Sequence, residues 1–361
     1  MSTSQISILS YKGLAYPISG ILQISKKAKA INEYKTVMFS VIIPLYNKAL
    51  YVEKAVRSVW AQTYRDFELI IVDDGSTDGS LSVVESLCSE LSQTDLKAKF
   101  YIVSQKNSGV STARNNGVKS AQYPYLCFLD ADDWWEPTFL EEMSRFIGEF
   151  PQAGIYGTGY YIVKNGRKRV APVGVETDFD KGTIDYCKVY ARTLCMPLWT
   201  GAVCIPKNIF EQANGFKPAL KLGEDFDLWV RIAMNHTVAY LNKPLAYYNQ
   251  DVELKNRAIG GKLYKPSEHM LFSDYGVFMQ NTDFRYLYER LALYGLLPYY
   301  YNNVNKIEVD SILSQIDLSK HDGIYVWYYK CLPRWMVRLW QKTLKTLSII
   351  KNRIINFHGQ L

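Results

Sequence analysis

Residues 39–47 read FSVIIPLYN, and residues 48–64 that follow read KALYVEKAVRSVWAQTY. The first is a short apolar run that reaches Pro44, the pattern of a strand covered on both faces rather than one with a wet side. In the second, Leu50, Val52, Ala55, Val56, Val59 and Trp60 share one side at helical spacing, so an amphipathic helix is predicted. The same alternation then repeats. FELIIVDDGSTDGS (67–80), KFYIVSQKNSG (99–109) and YPYLCFLDADD (123–133) read as strands, while LSVVESLCSELS (81–92), VSTARNNGVKSA (110–121) and EPTFLEEMSRFIGEF (136–150) read as helices. Strands alternating with helices of this length imply right-handed crossovers and a mainly parallel, doubly wound α/β sheet flanked by helices.

The chain is less regular beyond residue 150. AGIYGTGYYIVKNGRKRVAP (153–172) predicts a hairpin turning at Asn165-Gly166. LWTGAVCIPKNIFEQANGF (198–216) predicts a strand and a short helix closed by Gly215, LGEDFDLWVRIAMNH (222–236) a helix with an acidic start, and TVAYLNKPLAYYN (237–249) a further strand. Three regions are expected: an N-terminal extension over 1–37, an α/β domain over 38–250, and a mainly helical C-terminal region over 251–361 that includes a basic amphipathic helix at 333–357.

Composition excludes several classes of protein. With 48% hydrophobic and 21% charged residues, the 361-residue chain is neither disordered nor collagen-like. Its net charge of +7 suggests nucleic-acid binding until the charge is located. Residues 330–361 hold seven Lys or Arg and no Asp or Glu, and residues 1–38 hold five Lys against one Glu, so the middle of the chain is mildly acidic. The six cysteines have no metal-ligand spacing, and Cys88 and Cys127 read as small buried hydrophobes, which fits a reducing compartment. No apolar run reaches the roughly 18 residues that span a bilayer. A cytoplasmic protein is expected, peripherally associated with the inner face of the cell membrane.

In an open α/β sheet, ligands bind beyond the carboxyl ends of the strands, which gives weight to acidic residues placed there. Three groups qualify: Asp73 and Asp74; Asp130, Asp132 and Asp133; and Glu224 with Asp225. Two carboxylates spaced as D-x-D on extended chain point the same way and can share a hard cation or divide their work between ion and ligand hydroxyls. The competing reading makes Asp132 and Asp133 caps of the next helix.

SVIIPLYNKALYVEKAVRSVWAQTYRDFELIIVDDGSTDGS, then NSGVSTARNNGV, FLDADDWWEP, NGF and GEDFDLWVRIA together resemble the successive blocks of family 2 glycosyltransferases with a GT-A fold, from Phe39 to Asn249. The resemblance implies an inverting, metal-dependent transferase that uses a nucleotide sugar, with UDP-linked donors expected. It implies that Pro44, Tyr46, Asn47 and Asp74 border the base and that Asp73 supports the turn. Arg114 would face the nucleotide, Asp132 would hold Mn²⁺ or Mg²⁺, and Asp130 or Asp133 would meet ribose or sugar hydroxyls. Glu224 and Asp225 correspond to the acidic pair that supplies the base, with Asp225 the better choice. Trp199 and Trp229 are candidates for stacking on a sugar face. The chain departs from many relatives where Asn249 and Gln250 stand in place of a basic residue or His near the diphosphate, and it lacks the QxxRW signature of processive synthases.

The tail RWMVRLWQKTLKTLSIIKNRIINF (334–357) places Met336, Leu339, Trp340, Thr343, Leu347, Ile350, Ile354 and Phe357 on one helical face. Arg334, Arg338, Gln341, Lys342, Lys345, Asn352 and Asn356 lie mostly opposite, the pattern of a helix resting on anionic lipid. The resulting expectation is transfer of a sugar to a hydroxyl of a glycan or lipid-linked glycan acceptor in cell-surface polysaccharide biosynthesis, with no nucleic-acid partner. The rivals are a catalytically silent carbohydrate-binding or assembly protein on the same scaffold and a sugar nucleotidyltransferase. The latter needs a Gly-rich basic loop after the first strand, which PLYNKALY is not.

Overall fold

A computed structural model describes residues 36–93, 99–252 and 262–358. The chain divides into Met1–Thr36 and Val37–Leu361. The expected N-terminal extension lies outside the described residues apart from its last two positions.

The amino half alternates as its periodicity predicts: β1 (Phe39–Leu45), α1 (Val52–Trp60), β2 (Phe67–Asp73), α2 (Ser80–Leu91), β3 (Lys99–Ser104), α3 (Val110–Ser120), β4 (Tyr125–Phe128), β5 (Trp134–Trp135) and α4 (Phe139–Glu149). There follow β6 (Ile155–Lys164), β7 (Arg167–Val170), β8 (Lys181–Ile184), α5 (Tyr186–Thr193), β9 (Val203–Pro206), α6 (Lys207–Gln212), α7 (Glu224–Ala233) and β10 (Val238–Asn249). Ten strands form one sheet, with β3-β2-β1-β4-β9-β6-β10-β5 in order, β7 beside β6 and β8 beside β10. Pairing is parallel from β3 through β4 and between β6 and β10; β5, β7, β8 and β9 add antiparallel to their neighbours. The sheet is the mainly parallel α/β sheet expected, and β5, β8 and α5 are elements the sequence pattern did not announce.

Both faces of the central strands are dry, which explains their unbroken apolar runs. Ile42, Ile70, Val72 and Phe128 point into one core with α3 and α7, while Val41, Ile43, Leu69 and Ile71 point into the other with α1 and α4. α3 lies close on the sheet because Gly117 leaves room: a Cβ there would meet the Ile42 Cγ2 at 2.5 Å. The hairpin turns at Asn165 and Gly166, both at positive φ (53° and 69°), the two-residue turn that matches the strand twist. Pro44 is tolerated because pairing of β1 with β4 stops at Ile42 and Phe128, so no ladder donor is missed. Two sequence readings are corrected. Leu50 is 81% exposed, since it precedes the first turn of α1 instead of joining its buried side. Cys88 is only half-buried, whereas Cys127 is fully enclosed.

Beyond β10 the described chain is helical, with α8 (Thr282–Gly295), α9 (Leu297–Asn302), α10 (Lys306–Ser314), α11 (Gly323–Val326) and α12 (Arg334–His358). Phe284, Leu287 and Leu291 of α8 share a core with Phe226 and Val230 of α7, so this region packs directly behind the helix that carries Glu224 and Asp225. No helix among the described residues is long and apolar enough to cross a membrane.

Candidate active site

The three acidic groups come together at the carboxyl edge of the sheet, and Arg114 ties two of them. α3 carries Arg114 inward with a guanidinium 3% exposed; it donates to Asp130 (Nη2 to Oδ1, 2.7 Å) and to Glu224 (Nη1 to Oε1, 3.0 Å). The fork also lies over the Phe216 ring at 5.1 Å. Burial disfavours its charge, but Asp130, Glu224 and Asp225 outweigh this and raise its pKa. Arg114 therefore joins segments 94 positions apart by holding one carboxylate from each, and among the described residues its Nε has no hydrogen-bond partner. A guanidinium so enclosed organises the edge instead of standing free toward a nucleotide.

A second route connects the same segments. Asp133 accepts from the backbone N–H of Asn249 (2.8 Å) and from the Trp199 indole N–H (3.3 Å). The neighbouring Thr200 hydroxyl donates to Asp225 Oδ2 at 3.2 Å. Asp133 is 2% exposed, and burial, reinforced by Asp132 and Asp130, raises its pKa well above the carboxylate range. Its contacts join β4 to the end of β10, leaving it as part of the wall and Asp130 as the more open of the two hydroxyl candidates.

Asp225 is half-buried at the first turn of α7. Its Oδ1 accepts from the Phe226 N–H at 2.7 Å. Burial, then repulsion from Glu224, pushes its pKa up to about 7 against the opposing pull of Arg114. A carboxylate poised there can take a proton at neutral pH and release it again.

Asp132 has a different partner. Its Oδ2 accepts from the Lys48 ammonium at 2.5 Å, with both side chains largely enclosed. Burial and the nearby Asp130 raise its pKa, while Lys48 pulls it down. The loop that supplies Lys48 is stapled to the β2–α2 loop: Asn47 Oδ1 accepts from the Thr77 N–H (2.8 Å) and the Lys48 N–H donates to Ser80 Oγ (2.8 Å). Tyr46 stands 47% exposed above it. Sequence reasoning missed Lys48 and Thr200; neither lies in an acidic block, and only the fold brings them to one.

At the end of β2, Asp74 accepts from the Gly109 N–H (2.8 Å), the Ser108 N–H (2.7 Å) and the Gln105 amide (2.7 Å). It thus positions the start of α3, and with it Arg114. Asp73 accepts from the Ser76 N–H at 3.2 Å and supports the turn as anticipated. Of the tryptophans, Trp229 is fully buried against Phe216 and belongs to the core, which corrects its candidacy as a sugar platform. Trp199 is wedged between Tyr160 and Tyr248, at 5.8 and 4.0 Å between ring centres.

The donor set bears on the implied metal. Among the described residues no group of three or more His, Cys, Asp or Glu surrounds a common point. Asp132 supplies a hard carboxylate whose neutralising side chain a cation could replace. This fits Mg²⁺ or Mn²⁺ taking most of its oxygen ligands from a diphosphate and water.

Comparison with known proteins agrees with this geometry. The sequence profile of Glycosyl transferase family 2 matches residues 40–194. An uncharacterized glycosyltransferase of Rickettsia felis is 31% identical over 208 residues, covering 57% of this chain and 32% of that protein. Another, from a Nostoc species, is 38% identical over 220 residues, covering 58% of this chain and 63% of its own length. The chain thus spans about a third of the Rickettsia felis relative. Among solved structures, Staphylococcus aureus TarS 1–349 superposes with a TM-score of 0.54 at 21% identity, covering 81% of this chain and 80% of that one. The same fragment in complex with UDP-GlcNAc gives 0.52, with coverage of 83% and 78%. These likenesses establish a fold of the GT-A type, and within it residues 40–194 are similar to glycosyl transferase family 2.

Proposed function

We propose that this chain transfers a sugar from a nucleotide-diphosphate sugar, UDP-linked, to a hydroxyl of a glycan or lipid-linked glycan acceptor, with inversion, in cell-surface polysaccharide assembly. The carrying observation is that Arg114 binds Asp130 and Glu224 at once, which sets the D-x-D segment and Asp225 at one sheet edge. Asp225 then takes the proton of the acceptor hydroxyl as that oxygen bonds to the anomeric carbon and the nucleoside diphosphate leaves from the opposite side. A single base with no carboxylate nucleophile gives one displacement, hence inversion. Asp132 would hold the divalent cation, which when bound neutralises charge on the departing diphosphate. Thr200 orients Asp225 by donating to Oδ2, and the Arg114 fork keeps Glu224 from turning away, sustaining the repulsion that keeps Asp225 basic. Asp130 faces the hydroxyls, and Pro44, Tyr46, Asn47 and Asp74 frame the base. The partners in this reading are the nucleotide sugar, the acceptor and a membrane surface.

Cytoplasmic location at the inner membrane face rests on α12. Trp335 is 62% exposed and Leu339 and Leu347 are each 56% exposed, while Val337 is fully buried and anchors the helix against Leu297 and Tyr328. Arg338 and Lys342 are also exposed and contribute positive charge. Arg334 does not: Asp310 and Asn303 hold its guanidinium to the body, which corrects its place on the lipid-facing polar side. The side chains of Lys345 and of residues from 348 onward, including the Ile350, Ile354 and Phe357 part of the expected apolar face and Asn352 and Asn356 of the polar one, lie outside the described residues.

The test is a panel of nucleotide sugars scored for hydrolysis and transfer with Mn²⁺ present. Turnover of one UDP-sugar above the rest, with the anomeric configuration inverted in the product, is the expected result. Tight UDP binding without turnover of any donor would favour the silent binding protein.

A further inference from the structure

The β6–β7 hairpin carries a charge cluster that the transfer reaction, as described, leaves unused. Lys164, Arg167, Lys168 and Arg169 fall within six positions and all are exposed. The pairing of Ile162 with Arg169 and of Lys164 with Arg167 puts Lys164, Arg167 and Arg169 on one face. Lys168 points to the other, where its ammonium lies over the Tyr161 and Tyr247 rings at 4.5 and 5.3 Å. Among the described residues, Lys164, Arg167 and Arg169 form no ion pair. Arg167 and Arg169 are about 7 Å apart along the strand, and Lys164 stands about 5 Å across from Arg167.

Position gives the cluster meaning. Ile162 pairs with Tyr248 of β10 on the same face, Tyr248 packs on Trp199, and Trp199 donates to Asp133. The three cations therefore continue the wall of the active site outward along the sheet edge. The hairpin is also held rigidly: the Asp251 carboxylate accepts from the Asn165 and Gly166 N–H groups at 2.5 and 2.8 Å, securing the turn. Orienting it for a ligand costs little extra ordering.

We propose that Lys164, Arg167 and Arg169 form a docking surface for an acidic glycan, the acceptor chain carrying negatively charged groups next to the sugar that receives the transfer. This rests on the glycosyl-transfer reading above. Two guanidinium forks at this spacing suit carboxylate or phosphate groups on neighbouring sugars. A membrane surface fits less well, because the turn residues Asn165 and Gly166 offer no apolar group to insert. Single-stranded nucleic acid fits less well too, because the stacked Tyr161–Tyr247 pair lies on the opposite face, under Lys168, and Tyr248 on the near face is already packed on Trp199. The bland role of these charges is to keep an edge strand from pairing with another chain.

The experiment titrates full-length protein with octagalacturonate, neutral dextran and phosphatidylglycerol vesicles, comparing wild type with K164Q/R167Q/R169Q and with R169E. Thermal melting and UDP affinity are recorded for each. The proposal predicts at least tenfold weaker octagalacturonate binding in the triple variant, a shallower fall of affinity with NaCl, and unchanged melting and UDP affinity. R169E is to weaken binding on its own. Equal octagalacturonate affinity in wild type and variants overturns the proposal, as does a loss confined to vesicles or a change only in self-association. Failure of wild type to bind UDP would count against the transfer reading alone, since octagalacturonate binding is read directly.

Discussion

Asp132 and Asp225 are the same residue type, lie on the same sheet edge and are both raised in pKa by burial, yet the fold gives them different neighbours. Asp132 has a lysine at 2.5 Å, which the proposed divalent cation would replace. Asp225 has a hydroxyl, an N–H and a repelling carboxylate, which leave its pKa near neutrality, as the proposed base requires. A carboxylate's role is set by what neutralises it, and here one side chain, Arg114, holds the two environments next to each other while pairing with neither Asp132 nor Asp225.

The sharpest way to break this comparison is at Asp225. The substitution Asp225→Asn removes the proposed proton acceptor, and kcat is expected to fall about 10²–10⁴-fold with UDP affinity retained. In the wild type, kcat/KM should rise with pH and level off above about 7, because only the ionised carboxylate accepts the proton. Stability has the opposite sign. The folded Asp225 binds its proton more tightly than the unfolded chain does, so its contribution is greatest in acid and is lost as pH climbs from about 4 to about 7, a slope that Asp225→Asn should flatten. A kcat unchanged in the Asn variant would move the base elsewhere.

Arg114→Met attacks the link between the two regions. It leaves Asp130 and Glu224 without their shared cation, and truncation of a buried pair costs about 3–5 kcal/mol. Chemical denaturation should show a loss of that order, together with loss of turnover. A stable, active variant would mean the two acidic segments are held together by the Asp133–Trp199 route alone.

Asp132→Ala tests the other side. UDP affinity measured by titration calorimetry with Mn²⁺ should fall at least tenfold, about 1.4 kcal/mol, and the gain in affinity on adding Mn²⁺ should vanish. If UDP binds equally well with and without Mn²⁺ in the wild type, Asp132 has been given the wrong role. The smallest effect is expected at the tryptophans. Trp229→Phe should cost stability without changing the KM for donor, whereas Trp199→Phe removes an N–H donor to Asp133 and should alter the donor KM.

The alternation of strand and helix from Phe39 to Glu149 was legible because buried parallel strands and amphipathic helices have distinct apolar periods, and those periods survive any tertiary arrangement. Leu50 and Trp229 escaped for the complementary reason. Periodicity says which residues share a side but not where a helix begins or whether a ring on its buried side also reaches a ligand. β8 and α5 escaped because their exposed or mixed residues leave no clear period.

The sequence by itself determined the α/β class, the family blocks and the acidic groups at strand ends, since each depends on residues close together in the chain. Tertiary structure alone decided which acid is paired and which is poised. Lys48 reaches Asp132 across 84 positions, and Arg114 reaches Glu224 across 110. Those pairings depend on Coulomb forces and burial, which act through space and leave no local trace in the order of residues.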